Sequence, residues 1–509
     1  MILSDCINVR KFLTKLDHND SLKGKTVLFV TVRNFSFVMH QELFIANILA
    51  RMGANVYYVL DDGNLPHWDT IQINQKDMPK NAGTTLHNRI VEFLLSYSYR
   101  HKNIHKMKLS NFISEKEVKN ELLHLDCYDE GNCVSSVRRY FECGKFDKIN
   151  SEHVTYYNES RKNCAIMKVG IRNIIEFINP DVAITSHGIY SIWGSAYNIL
   201  TNEKHIPTYI YGAHAYSIDA TLFTDTLCQT LTKDSDAIEF MKNGKFGKDE
   251  YDMIKQYFFN RRSHVTKDTS IYYSWMDGAK KIDIKKSSEH VPTFCLFTNI
   301  IWDGDVAQRD TIFNGMLENT IYTINKFRSL PYNLYVRIHP AEATLWKDSV
   351  KMGDIIRNEI KDIDLIPNVH IIDSNQPVDS YTFVQENVDV ALVYDGILSL
   401  ELTAIGCPVI AAAVTRYANG DYVICPRTIE EYDSYLEDPE RCKFFLTQEK
   451  IDKMYKFAYW FIFKAGYCFP LYDENCFGKL DLTKDNVNKL SSAAFRLFVD
   501  KLKRSIYDN

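Results

Sequence analysis

The chain has 509 residues, 45% of them hydrophobic and 25% charged, a composition of folded proteins at a length that one core rarely supports, so two or three domains are expected. A formal net charge of −5 supplies no global basic field, which argues against a general nucleic-acid binder. The twelve cysteines are scattered and include no C-x-x-C, a pattern of reduced thiols in a cytosolic protein rather than of a disulfide framework or a zinc ribbon.

Residues 1–22 read as a short helical lead-in, and Asp5, Arg10, Lys11 and Lys15 interrupt any signal-peptide core there. The first strong strand is Thr26–Val32, followed by a loop and a helical pattern over Glu42–Met52. Gly53 sits at the helix end, and Ala54–Leu60 is the next strand. This β-α-β opening lacks G-x-G-x-x-G, so a dinucleotide cofactor is not expected. Residues 64–165 read as a mostly helical, polar insertion. Helix Ala165–Ile178 then leads through Asn179-Pro180-Asp181 into strand Val182–Thr185, which ends in Ser186-His187-Gly188. A helix over Ile192–Asn202 and a strand over Thr208–Tyr211 follow, the latter ending at His214.

Residues 230–290 are charged and helical and close a first domain, with 282–289 as its boundary. A second set of strands falls at 292–298, 333–338, 369–372, 388–394 and 409–413, with a helix over 311–329. Residues 448–509 read as helical with no further strand. Their apolar run Phe457–Phe463 is far shorter than the ~20 residues that span a bilayer. The run reads as a helix packing back on the first domain, with an amphipathic membrane contact as the alternative. The expected domains are therefore 1–285, with the insertion at about 64–165, then 290–447, and a helical tail 448–509 packing back toward the first. Two Rossmann-like domains without a dinucleotide fingerprint suggest the α/β GT-B architecture, in which the active site is an interdomain cleft.

The chemistry concentrates at strand ends of the second domain. Strand 334–338 delivers His339-Pro340-Ala341-Glu342, and alternation places Arg337 and His339 on one face, where a guanidinium and an imidazole suit a phosphate ester. A strand-end histidine bonded to a neighbouring carbonyl is the structural alternative. Asn299 occupies the first β/α turn of this domain and offers an amide, while Asp303 could cap the next helix. Val390–Val393 runs into an Asp395-Gly396 turn and a short helix with Ser399 and Glu401, which Gly406 and Pro408 terminate. The helix start can offer N–H groups to phosphate, and Glu401 lies about one turn in, within reach of ribose hydroxyls.

Residues about 292–425 resemble the bacterial capsule polysaccharide biosynthesis glycosyltransferases. The segments that carry the resemblance are LFTNIIWD (296–303), VRIHPAE (336–342) and YDGILSLELTAIGCPVIAA (394–412). The wider group includes Kdo transferases and is more distantly similar to polysialyltransferases and teichoic-acid polymerases with their His-Pro motif. The first domain matches more loosely, through TSHGIYSIWG (185–194) and LDDG (60–63). The resemblance implies a GT-B enzyme whose C-terminal domain binds the donor nucleotide. His339 would contact the donor phosphate, Glu401 the ribose, and Tyr394, Asp395, Gly396 and Ser399 the phosphate or sugar. Asn299, Arg337 and Glu342 are assigned to the same donor side. The sequence departs from common members at Asp395-Gly396-Ile397, where Gly-Thr or Asp-Ser is frequent, which puts the phosphate contacts of that turn in question.

An inverting transfer also needs a base for the acceptor hydroxyl. Candidates end strands of the first domain: Asp61 or Asp62, His187 and, more weakly, His214, with Asp62 or His187 as the choice for the base. An ordinary Asp-Gly turn and a core histidine are the structural alternatives. No H-E-x-x-H is present, and Asp303 and Asp305 around Gly304 read as a solvated turn rather than a D-x-D metal site. Arg138/Arg139 and Arg261/Arg262 could receive an anionic acceptor or simply face solvent.

The expected protein is a cytoplasmic, metal-independent glycosyltransferase without a cofactor, peripheral at most to the inner face of the membrane. It would move a sugar from a CMP- or UDP-activated donor to a surface glycan or glycolipid, in contact with membrane or capsule assembly proteins and not with nucleic acid. The rival readings are a nucleotide-sugar 2-epimerase or polyol-phosphate transferase on the same frame, and a non-catalytic glycan-binding subunit of a capsule assembly complex.

Overall fold

The computed structural model describes residues 3–33, 36–69, 86–214, 220–262, 290–302, 312–344, 346, 349–413, 416–472, 481, 489–490 and 492–508. It divides into two compact units, one formed by residues 1–140, 146–228 and 466–509 and the other by 141–145 and 229–465.

The first unit opens with α1 (Leu3–Leu13), β1 (Thr26–Val32), α2 (Ser36–Arg51) and β2 (Asn55–Leu60). It continues through α3 (Leu86–Ser98), β3 (Ile104–Lys108), α4 (Glu115–Leu122), α5 (Cys127–Phe141) and α6 (Ser151–Ile178) to β4 (Val182–Ser186). A helix with π turns at both ends and α7 (Ser195–Asn198) in its middle leads to β5 (Thr208–Ala213) and β6 (Ala220–Thr224). β1 is buried on both faces because helices cover it from both sides: Val27 and Phe29 join one apolar cluster, Leu28 and Val30 the other.

In the second unit, α8 (Ser235–Asn243) and α9 (Lys248–Arg262) precede β7 (Thr293–Phe297), α10 (Met316–Phe327), β8 (Asn333–Arg337), α11 (Met352–Glu359) and β9 (Val369–Ile372). Then come α12 (Ser380–Asn387), β10 (Val390–Val393), α13 (Leu398–Ala404), β11 (Val409–Ala411), α14 (Ile429–Leu436), α15 (Pro439–Phe445) and α16 (Gln448–Phe463). The chain finally returns to the first unit with β12 (Gly466–Cys468) and α17 (Ala493–Tyr507), whose Phe495, Phe498 and Leu502 enter the cluster around β1.

The first sheet has seven strands in the order β12-β6-β5-β4-β1-β2-β3, parallel from β5 to β3 and antiparallel at β6 and β12. The second has five parallel strands in the order β11-β10-β7-β8-β9. Each order reverses once, between β1 and β4 in the first sheet and between β7 and β10 in the second. At such a reversal the loops leave the strand ends in opposite directions and open a crevice for ligands. Two Rossmann-like α/β units are thus present, as the GT-B reading requires.

Several expectations are corrected. The insertion is not helical throughout, because β3 lies within it and extends the sheet beyond β2. The tail does contain a strand, since β12 pairs with β6. The first compact unit leaves off at 228 rather than 285 and resumes at 466, and α8, α9 and α16 all belong to the second, where α16 packs on α8, α9 and α13. The run Phe457–Phe463 therefore belongs to the second unit. Residues 282–289 lie outside the described residues. Among the described residues, no helix is long and apolar enough to cross a membrane.

Candidate functional site

Two consecutive residues at the end of β7 join three strand ends of the second sheet. Thr298 donates its N–H to the Arg337 carbonyl at 3.0 Å and accepts the His339 N–H on its hydroxyl at 3.1 Å, which ties β7 to β8. Asn299 reaches the other way. Its Nδ2 donates to the Asp395 carbonyl at 2.8 Å, and its Oδ1 lies 3.4 Å from the Asp395 N–H, which ties β7 to β10 across the reversal in strand order.

His339 is the N-cap of the short 3-10 turn Pro340–Ala343, whose Pro340 at the first position favours that start. Its Nδ1 accepts the Ala341 N–H at 3.2 Å. A neutral ring bonded in this way carries its proton on Nε2, and an Nε2–H is the donor that a phosphate oxygen needs. Gly396 holds φ +137°, a backbone that side chains rarely adopt, and a Cβ there would also stand 4.0 Å from Asn299 Nδ2. Asn299, His339, Asp395 and Gly396 are half-buried, so this end of the sheet presents polar groups at an accessible surface.

The other expected donor ligands are placed differently. Arg337 is 4% exposed and donates to the carbonyls of Asp373 at 2.7 Å and Gln376 at 3.1 Å. It fastens the turn after β9, and burial lowers its pKa to about 10. Glu342 is fully buried and accepts the Met352 N–H at 3.1 Å, so it caps α11, and burial pushes its carboxyl up to about 7. A cavity of about 380 Å³ lies along its wall, edged by Lys351, Arg357 and Asp373, apart from the β7–β10 reversal. Ser399 is buried and donates its hydroxyl to the Gly396 carbonyl at 2.9 Å, while the N–H groups of Ser399, Leu400 and Glu401 close onto Gly396 and Ile397. Much of the start of α13 is therefore satisfied by its own turn. Tyr394 is buried in the core.

Glu401 is 2% exposed and carries both oxygens into an internal triad. Oε1 accepts from Arg261 Nε at 2.5 Å and Oε2 from the Tyr381 hydroxyl at 2.8 Å. Burial and the Glu401 carboxylate hold the Tyr381 hydroxyl well above its ordinary pKa. Arg261 is thus a buried partner and not a solvated cation. The sequence carries no local sign of this triad, because its members stand on α9, α12 and α13.

In the first unit, Asp62 accepts the Ser110 N–H at 3.0 Å, the Ser110 hydroxyl at 2.5 Å and the Asn64 amide at 2.9 Å, which ties the β2 end to the β3 end. Asp61 is buried and gathers the N–H groups of Gly63, Asn64 and Leu65 together with the Trp68 indole; burial raises its pKa against those bonds. His187 ends β4 with φ +56°, Gly188 follows with +68°, and Tyr190 has +69°, a run of left-handed backbone beside the β1–β4 reversal. Its ring centroid lies 5.5 Å from that of Trp193. His214 is fully buried. Sequence reasoning missed Arg33 and Asp69. Arg33 is 1% exposed between the Trp68 and Trp193 rings, at 5.6 and 5.1 Å, and burial lowers its pKa to about 10. Asp69 accepts the Ser191 hydroxyl at 2.9 Å and the Ile192 N–H at 2.8 Å.

Among the described residues, no group of three or more His, Cys, Asp or Glu is placed to hold a metal ion. Asp303 and Asp305 lie outside the described residues.

No family model matches the sequence, and no curated protein matches it. Solved structures similar to the chain include two transferases of Thermosulfurimonas dismutans KpsC. The β-Kdo 2,4 transferase is 12% identical over 61% of this chain and 87% of that chain, with a TM-score of 0.35. The β-Kdo 2,7 transferase is 11% identical over 52% and 78%, with a TM-score of 0.32. A UDP-GlcNAc 2-epimerase from Neisseria meningitidis bound to UDP-GlcNAc is 9% identical over 85% and 96%, with a TM-score of 0.24. The first two are Kdo transferases, the group named by the sequence resemblance.

Proposed function

We propose that the protein is a glycosyltransferase that moves a sugar from a CMP- or UDP-activated donor to a surface glycan of the capsule or lipopolysaccharide type. The observation that carries this reading is the Thr298–Asn299 stitch. It holds the ends of β8, β7 and β10 together at the reversal of strand order, the position where α/β sheets take nucleotides, and sets His339 beside it with an Nε2–H donor. In this reading His339 and the amide of Asn299 meet the donor phosphate and stabilise the charge that grows on it as the glycosidic bond breaks. Burial and internal bonding make Arg337, Glu342, Ser399 and Glu401 positioning residues of that site. The donor phosphate is handled by these groups without a resident cofactor, and the chain works in the cytoplasm.

On the acceptor side, His187 is the base of choice. It ends a central strand in strained backbone, a feature that clusters at functional sites, whereas Asp62 already holds Ser110 and Asn64. The imidazole would take the hydroxyl proton as the oxygen attacks the anomeric carbon and the nucleotide leaves with the bonding pair. Thermal unfolding with CMP, UDP and GDP tests the donor site, because a ligand that binds the folded state alone raises its apparent stability. Stabilisation by CMP or UDP that His339→Ala removes is expected; no shift with any nucleotide would overturn the reading. Incubation with CMP-Kdo or UDP-GlcNAc then separates the chemistries: glycosyl transfer requires added acceptor, whereas an epimerised sugar formed from donor alone would replace transfer by the epimerase reading.

A further inference from the structure

Helix α3 carries apolar side chains on two opposite faces. Val91, Leu95 and Tyr99 are buried in the core of the first unit. On the far side Leu86, Ile90, Phe93 and Tyr97 are 75%, 49%, 71% and 56% exposed. At about 100° per residue these four fall within an arc of about 60°, a continuous stripe along the helix. Large apolar side chains scattered singly on a surface need no explanation, but an aligned set of this kind marks a contact surface.

What surrounds the stripe selects its partner. Arg89 flanks it on α3 and is exposed, as are Arg100 and Lys102 just beyond the helix. α1 packs beside α3 and brings exposed Arg10 and Lys11, with Lys15 following. Arg10 is tied to the stripe itself: its Nη1 donates to the Tyr97 carbonyl at 2.9 Å and its guanidinium lies 5.0 Å from the Tyr97 ring centre. The acid on this helix, Glu92, is turned to Lys106 in an ion pair. Asp17 and Asp20 lie beyond the end of α1. A basic border around an apolar stripe stands out on a chain of net charge −5. A helix partner would need an apolar seam and matching acids. A bilayer with anionic headgroups supplies both chemistries in one plane, with acyl chains for Phe93 and Leu86 and phosphates for the arginines.

We infer that α3, with the exposed side of α1, is a docking surface for an anionic lipid bilayer, on which the helix lies flat and does not insert across. This inference does not depend on the glycosyltransferase reading, since it uses none of the site residues.

Co-sedimentation of the full-length protein with vesicles of phosphatidylcholine alone and of phosphatidylcholine with phosphatidylglycerol tests it. Binding is expected to the second and to be much weaker to the first. It should fall as salt is raised, because exposed charges are screened beyond a distance of about 10 Å at 0.1 M. Phe93→Ser should weaken binding roughly tenfold to thirtyfold, the partition lost with one large apolar side chain. Arg89→Glu with Arg100→Glu should weaken it to phosphatidylglycerol vesicles only. All these side chains are exposed, so the variants should keep the thermal midpoint of the parent. Absence of sedimentation with either vesicle overturns the inference. So does binding that Phe93→Ser and the charge reversal both leave unchanged. A concentration-dependent dimer in sedimentation velocity, abolished by Phe93→Ser in a protein that ignores vesicles, would assign the stripe to a second copy of the chain instead.

Discussion

Glu342→Gln should make the second unit more stable at alkaline pH and leave it nearly unchanged in acid. The carboxyl is fully buried and accepts the Met352 N–H at 3.1 and 3.3 Å through its two oxygens. A carboxylate at a helix start gains only about 0.3–1 kcal/mol from the helix dipole. Burial outweighs this and the nearby Lys351, and raises the carboxyl from 4.5 to about 7. The sign follows from proton linkage. Between those two values the folded chain binds a proton that the unfolded chain has released, so stability is complete below about 4.5 and is lost as pH rises through about 7. At about 1.4 kcal/mol per pKa unit, the wild type forfeits on the order of 3 kcal/mol by pH ~8.5. Glutamine keeps an oxygen for the Met352 N–H and cannot ionise, so the variant should escape that loss. The assay is urea unfolding at several pH values, read by pulsed alkylation of Cys295, Cys407 and Cys442, which are buried in this unit. The expected difference between variant and wild type is near zero at pH ~4 and grows to about 2–3 kcal/mol at pH ~8.5. A difference that does not change with pH, or a variant less stable than wild type in alkali, would refute the reasoning.

Glu401→Ala should cost about 3–5 kcal/mol in thermal or urea unfolding, since it leaves the Arg261 guanidinium buried without its carboxylate. Arg261→Ala should cost a similar amount, and the double variant clearly less than the sum; additive losses would dissolve the triad. Asn299→Ala removes the bridge to Asp395 and should reduce nucleotide affinity roughly tenfold, measured by calorimetric titration with CMP or UDP, at a stability cost of about 1–2 kcal/mol. Unchanged affinity would detach the stitch from ligand binding. Gly188→Ala places a Cβ 2.6 Å from Leu227 Cδ2 and 2.7 Å from Ile210 Cδ1. Denaturation should show about 2–4 kcal/mol of destabilisation from this overpacking together with the left-handed backbone. A loss below ~1 kcal/mol would mean that the turn relaxes freely.

Strands with a buried apolar pattern were legible, at the edge of a sheet or within it, and β3 and β12 were not. β7, β10 and β11 are buried at every residue and appear as apolar runs, and β8 alternates, so the expected spans at 292–298, 333–338, 388–394 and 409–413 contain them. β3, Ile-His-Lys-Met-Lys, is an edge strand in which Met107 alone is buried, so no periodicity marks it. β12 has three residues, and its pairing with Ala220–Leu222 defines it. The same contrast holds in the site. His339 and Asn299 could be placed at a strand end and a turn from the sequence, because those features are local. The partner of Glu401 lies 140 positions away on α9, and the use of Glu342 depends on a helix start ten residues further on. A carboxylate in a motif looks the same in sequence whether it meets a ribose or a buried arginine; the tertiary contact decides.

The two reversals of strand order differ in the groups that line them. At the first, beside β1 and β4, the chain's own groups occupy the space. Arg33 is enclosed by Trp68 and Trp193, and Asp69 is bonded to Ser191 and Ile192. At the second, two short side chains do the joining, and Asn299, His339, Asp395 and Gly396 stay half-exposed around the join. In the proposed function a nucleotide phosphate would sit beside them and leave the buried Arg261–Glu401 pair closed on itself. The first reversal also carries His187 on left-handed backbone, and the proposed function gives that imidazole the proton transfer and not the binding of an anion.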